Sequence, residues 1–259
     1  QGAALPSSIA ALCWVGAGWG AEPDSALPED LPPTLPVLGL AGAGAGYWPW
    51  VTGLAALPAH HRLRLVPAVW AVIARLVAAL APHVALTALR GSALLPASEW
   101  GQAGVAALGQ QTAAVLNFRE LPAGVMPQRQ AFNVIPMAAT PGLNPAQLLA
   151  LPDLHVPVHL HCWAVPVFVG ISGHLLIELD GASSASQMES WLAAALDARY
   201  PRGSGEPLGP VELTMVNRLL DWRIEAVSDR VFGLHWTADN LTLGTAEPAA
   251  AVMRALLGH

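Results

Sequence analysis

The sequence predicts an α/β or α+β protein, and three observations carry that reading. Short apolar runs bounded by glycine and proline alternate along the chain with longer segments of helical periodicity. Hydrophobic residues make up 54% of the chain and charged residues only 12%, so there is apolar material for a large core. At 259 residues the chain can form one large domain or two modest ones. No internal repeat is visible, so a solenoid is not expected.

The elements follow in order. Ser8–Val15 is a short apolar run that reads as a buried strand, followed by a glycine-rich turn, 16–21. Residues 22–36 hold five prolines and four acids and read as loop. Leu35–Leu40 is a second short strand. Gly42–Gly46 is a flexible turn before an aromatic patch, Tyr47, Trp48 and Trp50. A helix is expected over 68–81 and a strand over Val84–Leu89. Gly101–Asn117 reads as a helix with apolar positions at Val105, Leu108, Thr112, Val115 and Leu116. His155–Val169 and His174–Leu179 alternate as strands do. Ser184–Ala198 is a helix entered by serines. Pro210–Arg218, Asp221–Ser228 and Phe232–Thr237 read as strands, and Ala246–Leu257 as a closing helix.

Composition removes several functions. The net charge is −6, and nucleic acid needs a basic face. All twelve basic residues are arginine, which reads as composition bias. Cys13 and Cys162 are the only cysteines; two distant thiols define neither a disulfide framework nor a zinc knuckle. A reducing cytoplasm is therefore the expected compartment. The first twenty residues lack the basic start of a secretory signal. The most apolar stretch is Leu65–Leu89, but Arg75 sits near its middle and Pro82 interrupts it. A central arginine costs about 2.5–3.5 kcal/mol on insertion into a bilayer, so this stretch reads as a buried helix, and no membrane span is expected.

Three groups of residues carry a family likeness. They are Ala103-Gly104-Val105 with Gln110-Gln111-Thr112 and Leu116-Asn117, then Gln130-Ala131-Phe132-Asn133-Val134-Ile135-Pro136, then Cys162-Trp163-Ala164-Val165-Pro166-Val167-Phe168-Val169-Gly170. Together they resemble the second domain of aspartate-semialdehyde dehydrogenase, and most of all its Usg-type, catalytically degenerate paralogues. Val227-Ser228, Leu234-His235-Trp236, Asp239-Asn240-Leu241 and Gly244 are similar to the family's closing segment. Ser8–Gly20 and Leu35–Gly42 resemble the last strands of its nucleotide-binding domain. The resemblance implies a truncated Rossmann-like part followed by a dimerisation domain with a large mixed sheet flanked by helices. It implies a division into 1–67, a remnant of the nucleotide domain whose first half is absent; 68–238, the dimerisation domain; and 239–259, a closing helix packing back on the N-terminal part.

The same resemblance implies lost chemistry. The family uses a cysteine thiolate to form a thioester while hydride passes to NADP. Aligned backward from Leu80-Ala81-Pro82, the nucleophile's position falls on Trp70 or Ala71. The family's histidine base becomes Ile171, its substrate-binding arginine Ala164, and a glutamine falls at Leu95. S-G-A-G reads Ser98-Glu99-Trp100-Gly101, and the closing R-K reads Thr242-Leu243. The opening phosphate loop has no counterpart, so no cofactor is expected.

Other candidates are few. Gly16-x-Gly18-x-x-Ala21 follows a strand and formally fits a dinucleotide fingerprint. That fingerprint needs a helix to begin at the turn; the prolines and acids that follow cannot continue one. Gly16 and Gly18 are therefore cofactor candidates only in form. His159 and His161 point to one face of a strand and could hold a metal ion; because no nearby acid or cysteine completes the set, surface histidines are the plainer reading. Cys162 lies inside a strand and reads as an inert thiol. Trp70 and Trp100 occupy or border the former active-site positions, where bulky rings would fill a pocket. The reading that results is a catalytically inactive relative serving as a structural or assembly subunit, as a homodimer or within a larger complex. The rivals are an oxidoreductase with an altered active site and a ligand-binding module using the former pocket.

Overall fold

A computed structural model describes residues 10–14, 34–40, 50–54, 57, 62–122, 124, 126, 128–137, 156–196 and 206–258. Four short strands form the first sheet: β1 (Leu12–Trp14), β2 (Val37–Gly39), β3 (Trp50–Val51) and β4 (Arg62–Leu65). They are parallel, in the order β1-β2-β4-β3. Parallel strands are usually covered on both faces and read as unbroken apolar runs, which is why Val37–Gly39 is buried throughout.

The second sheet has six strands in the order β6-β7-β5-β8-β10-β9. Its members are β5 (Leu86–Leu95), β6 (Ile135–Met137), β7 (Val158–Ala164), β8 (Ile171–Leu179), β9 (Leu220–Ala226) and β10 (Val231–Ala238). Only β5 and β7 run parallel, and every other neighbour is antiparallel. The chain is thus a mixed α/β fold with a large mixed sheet flanked by helices.

Helices α1 (Ala68–Leu80) and α3 (Ala185–Leu196) share one apolar core with this sheet and touch each other. Pro67 precedes α1 with extended geometry, and eleven of the helix's 13 residues are buried. Each large aliphatic side chain so removed from water contributes about 1.5–3 kcal/mol. The one cation of α1, Arg75, reaches Glu247 at 3.7 Å. Glu247 opens α5 (Glu247–Leu256), where a carboxylate also suits the helix dipole. A π-helical turn, Thr242–Ala246, leads into α5 and packs on α1; a Cβ at Gly244 would lie 2.7 Å from the Ala68 Cβ. Ala249 and Val252 of α5 join Leu38, Val51, Leu63 and Leu65 in a second core over the first sheet. Among the described residues no helix is long and apolar enough to cross a membrane.

Three expectations need correction. Pro210–Arg218 is not a strand: Pro210–Met215 is a short helix, α4. Gly209 is extended, Pro210 takes the first turn where its missing N–H costs nothing, and Glu212 lies in that same turn. The strand expected over Val84–Leu89 begins at Leu86 and runs on to Leu95. Gly91 does not end it; the glycine is required because a Cβ there would fall 2.1 Å from the His174 carbonyl oxygen. Helix α2 (Gly101–Leu116) buries Gly104, Leu108, Gln111 and Ala114, and Leu116 is exposed. Gly104 lets the helix approach the preceding 3-10 turn, Ala97–Trp100, since a Cβ would sit 2.3 Å from the Ala97 carbonyl oxygen.

Candidate functional site

Alternation gives the six-stranded sheet two faces of different chemistry. Leu95, Ala164 and Ile171, at which the family likeness places a glutamine, an arginine and the base, lie on the covered face, and Trp70 and Ala71, at which it places the nucleophile, lie on α1 in the same core. Trp70, Leu95, Ala164 and Ile171 are 0% exposed and Ala71 is 2%. They belong to one apolar cluster, with Trp100 at its edge. Leu95 and Ala164 are cross-strand partners, as are Ile171 and Ala238. The indole of Trp70 is the largest of these groups and one of the bulkiest fully buried side chains of the described residues.

The residues that carried the likeness form a hydrogen-bonded frame around that cluster. The Gln111 Oε1 accepts the backbone N–H of Gln130 at 2.9 Å and of Ala131 at 3.3 Å. The Gln130 Nε2 donates to the Val165 carbonyl at 3.0 Å. Asn240 is buried and accepts the Gly170 N–H at 3.0 Å while donating to Ser98 Oγ at 2.9 Å and Glu99 Oε1 at 2.8 Å. Gly170 has φ +92°, and Pro210 occupies the space a side chain would need. Burial pushes the Glu99 carboxyl up to about 7 against the opposing hydrogen bond from Asn240. Cys162 lies on the covered face of β7; burial first, and the Glu99 carboxylate second, push its thiol up to about 12. Such a thiol is protonated at neutral pH and is a poor nucleophile.

The other face is open and polar. Its middle row, read across five strands, is His161, Ser92, His174, His235 and Arg223. On one side lies the row His159, Arg90, Leu176, Gly233 and Glu225. On the other lies Trp163, Leu94, Ser172, Thr237 and Asp221. Arg90 pairs with Glu178, and the Arg223 Nη1 donates to Asp221 Oδ1 at 3.0 Å. Ser172 and Thr237 exchange a hydroxyl hydrogen bond of 3.0 Å. A cavity of about 310 Å³ lies here, with Ser92, His174, Asp221, Arg223 and His235 among its lining residues.

The structure brings His159 and His161 together, with ring centroids 4.5 Å apart and rings nearly perpendicular. It also gathers a group that the sequence reading missed: His174, Glu225 and His235, whose donor atoms all lie within 4.8 Å of one another. The three sit on β8, β9 and β10, so only the strand register unites them. Burial and the neighbouring His235 lower the His174 pKa, against the pull of Glu225. Gly16, Gly18, His155 and Trp48 lie outside the described residues, and for Trp50 only the backbone is described.

No protein-family model matches the sequence, and no curated protein matches it. Solved structures do. A probable aspartate-semialdehyde dehydrogenase from Pseudomonas aeruginosa superposes with a TM-score of 0.70 at 20% identity, over 87% of this chain and 73% of that one. Aspartate-semialdehyde dehydrogenase II from Vibrio cholerae, in complex with ASA, gives 0.69 at 19% identity over 86% and 72%. The enzyme from Francisella tularensis gives 0.64 at 14% identity over 86% and 75%. At these identities the likeness is one of fold, and the fold of this chain is that of the aspartate-semialdehyde dehydrogenases.

Proposed function

We propose that this chain is a catalytically inactive protein of the aspartate-semialdehyde dehydrogenase fold that works as a structural subunit. Its large sheet pairs two copies through the open face. The observation that carries the first half is the content of the covered face. Where the likeness calls for nucleophile, base, arginine and glutamine, the chain has five apolar side chains sealed in one core. An acyl transfer through a thioester needs an activated thiolate beside a base. Cys162, with a thiol pushed up to about 12, does not supply it.

Size and charge support the second half. Six strands spaced about 4.8 Å apart, each about seven residues of 3.3 Å, span a plane of roughly 29 by 23 Å. That is of the order of the 800 Å² that each partner of a standard interface buries. A two-fold interface meets itself, so its charges must balance within one face. Arg90 with Glu178 and Arg223 with Asp221 meet that condition. We assign residues 1–67 to a part resembling the nucleotide-binding domain, 68–238 to the pairing domain and 239–259 to the closing segment, with no NADP bound and a cytoplasmic location.

The test is a spectrophotometric assay with aspartate semialdehyde, phosphate and NADP. The expected result is no phosphate-dependent NADP reduction above a protein-free control. Reduction that a thiol reagent abolishes at Cys162 would overturn the inactive reading.

A further inference from the structure

We propose that His174, Glu225 and His235 form a binding site for one divalent transition-metal ion of the zinc class on the open face of the large sheet. The inference goes beyond the pairing reading and uses residues of a single chain.

The geometry points there first. The His235 Nε2 lies 3.4 Å from Glu225 Oε1. Zinc–nitrogen and zinc–oxygen bonds of about 2.0–2.1 Å at tetrahedral angles place neighbouring donors about 3.4 Å apart. One edge of a coordination tetrahedron is therefore already at its proper length. The third donor, on His174, lies within 4.8 Å of both others. The rings of His174 and His235 stand 4.5 Å apart, centroid to centroid. Closing the set requires side-chain rotation alone, since each donor comes from a strand fixed in register with the next.

Gly233 is the second, independent observation. It interrupts a strand otherwise built of Val231, Phe232, Leu234, His235, Trp236, Thr237 and Ala238. A Cβ at this glycine would lie 3.0 Å from Glu225 Oε1 and 3.0 Å from His174 Nε2. Two would-be ligand atoms thus converge over the one position of β10 that has no side chain. Glycine inside a strand weakens it and commonly marks a close approach from another group. Here that group is the donor set itself.

The chemistry suits a borderline ion. Two imidazoles and a carboxylate are zinc-type donors, and three protein ligands leave a fourth position open. The nearest cation in the middle row, Arg223, is turned to Asp221 at 3.0 Å. His174 and His235 also line the 310 Å³ cavity, so a water or a small anionic ligand has room at the fourth position.

The experiment is calorimetric titration of zinc chloride into the tag-free, chelator-treated full chain, with cobalt(II) absorption as a reporter of coordination. The expected result is one ion per chain. Glu225→Gln and His235→Ala should each weaken binding at least tenfold, with circular dichroism and unfolding midpoint unchanged. Gly233→Ala should weaken it too, and the double variant His159→Ala/His161→Ala should bind as the parent does. No binding at 100 micromolar zinc (about 5 kcal/mol of affinity or less) overturns the site. Binding that survives His235→Ala, or that is lost with His159 and His161, overturns it as well. Light scattering on the same samples reports pairing separately.

Discussion

The two faces of the six-stranded sheet differ in almost everything that decides function. The covered face holds the positions where the fold's chemistry would be expected, and there Trp70, Leu95, Ala164 and Ile171 are sealed from water. The open face lies at no such position, yet it carries four histidines, two arginine–carboxylate pairs and the cavity. One strand supplies both: on β7 the covered residues are Leu160, Cys162 and Ala164, and the open ones His159, His161 and Trp163. The contrast is that one sheet carries an apolar, sealed face and a polar, open one in the same fold. The frame of Gln111, Gln130 and Asn240 holds the backbone at Gln130, Ala131, Val165 and Gly170, and Asn240 also holds the side chains of Ser98 and Glu99.

The largest effect should come from emptying the covered face. Trp70→Ala is expected to cost about 3–5 kcal/mol, as large aromatic truncations in cores do, whereas His235→Ala on the open face should stay within about 0.5 kcal/mol. Urea unfolding of both variants checks this. Equal losses would erase the distinction between the faces.

A sharper version puts the family-type residue back. Ile171→His buries an imidazole with no partner prepared for it, at a cost of about 1–3 kcal/mol. It should yield no dehydrogenase activity, because Trp70 and Ala71 still stand where the family likeness puts the nucleophile. Activity in this variant would mean that the covered face still works.

Asn240→Ala tests the frame between the faces. It strips partners from the Gly170 N–H and from Ser98 and Glu99, and about 1–3 kcal/mol should be lost for the buried groups left unpaired. A change within error would show that the frame is not what holds the Gly170 turn.

The next test is a pH slope. The Glu99 carboxyl titrates at about 7 in the fold against an ordinary value of 4.5. Between those values the native state holds a proton that the unfolded chain has lost. Stability should therefore fall as pH rises from about 4.5 to about 7, then level off. Glu99→Gln should flatten that part of the profile of urea midpoints against pH. A parent profile that rises across the window would contradict the assignment.

Much of the fold was legible in the sequence because local signals agreed with tertiary demand. Pro67 and Pro82 bracket α1, the serines before Ala185 open α3, and both helices lie where periodicity places them. Pro210–Arg218 misled because P-V-E-L-T-M alternates like a strand, although Gly-Pro with Glu212 is also a helix start. The buried face of α2 was hidden because Gly104, Gln111 and Ala114 carry little hydrophobic signal; they are buried for close approach and for a hydrogen bond. Parity alone put His159 and His161 on one face. The group of His174, Glu225 and His235 could not be found that way, because it exists only once three strands are in register. A single histidine in the middle of each of two apolar strands was the one signal available. Trp70, Ala71, Leu95, Ala164 and Ile171 were singled out by family likeness alone, since nothing in their local pattern sets them apart from other core residues.

As the working surface, the open face is proposed to pair two copies of the chain. Light scattering of the parent protein and of Leu94→Glu at micromolar concentration is the test, because Leu94 is 40% exposed in the third row, between Trp163 and Ser172. The account predicts a parent particle of twice the 26.9 kDa chain mass and a monomer for the variant, with unchanged circular dichroism. A monomeric parent, or a dimer that survives Leu94→Glu, would contradict it.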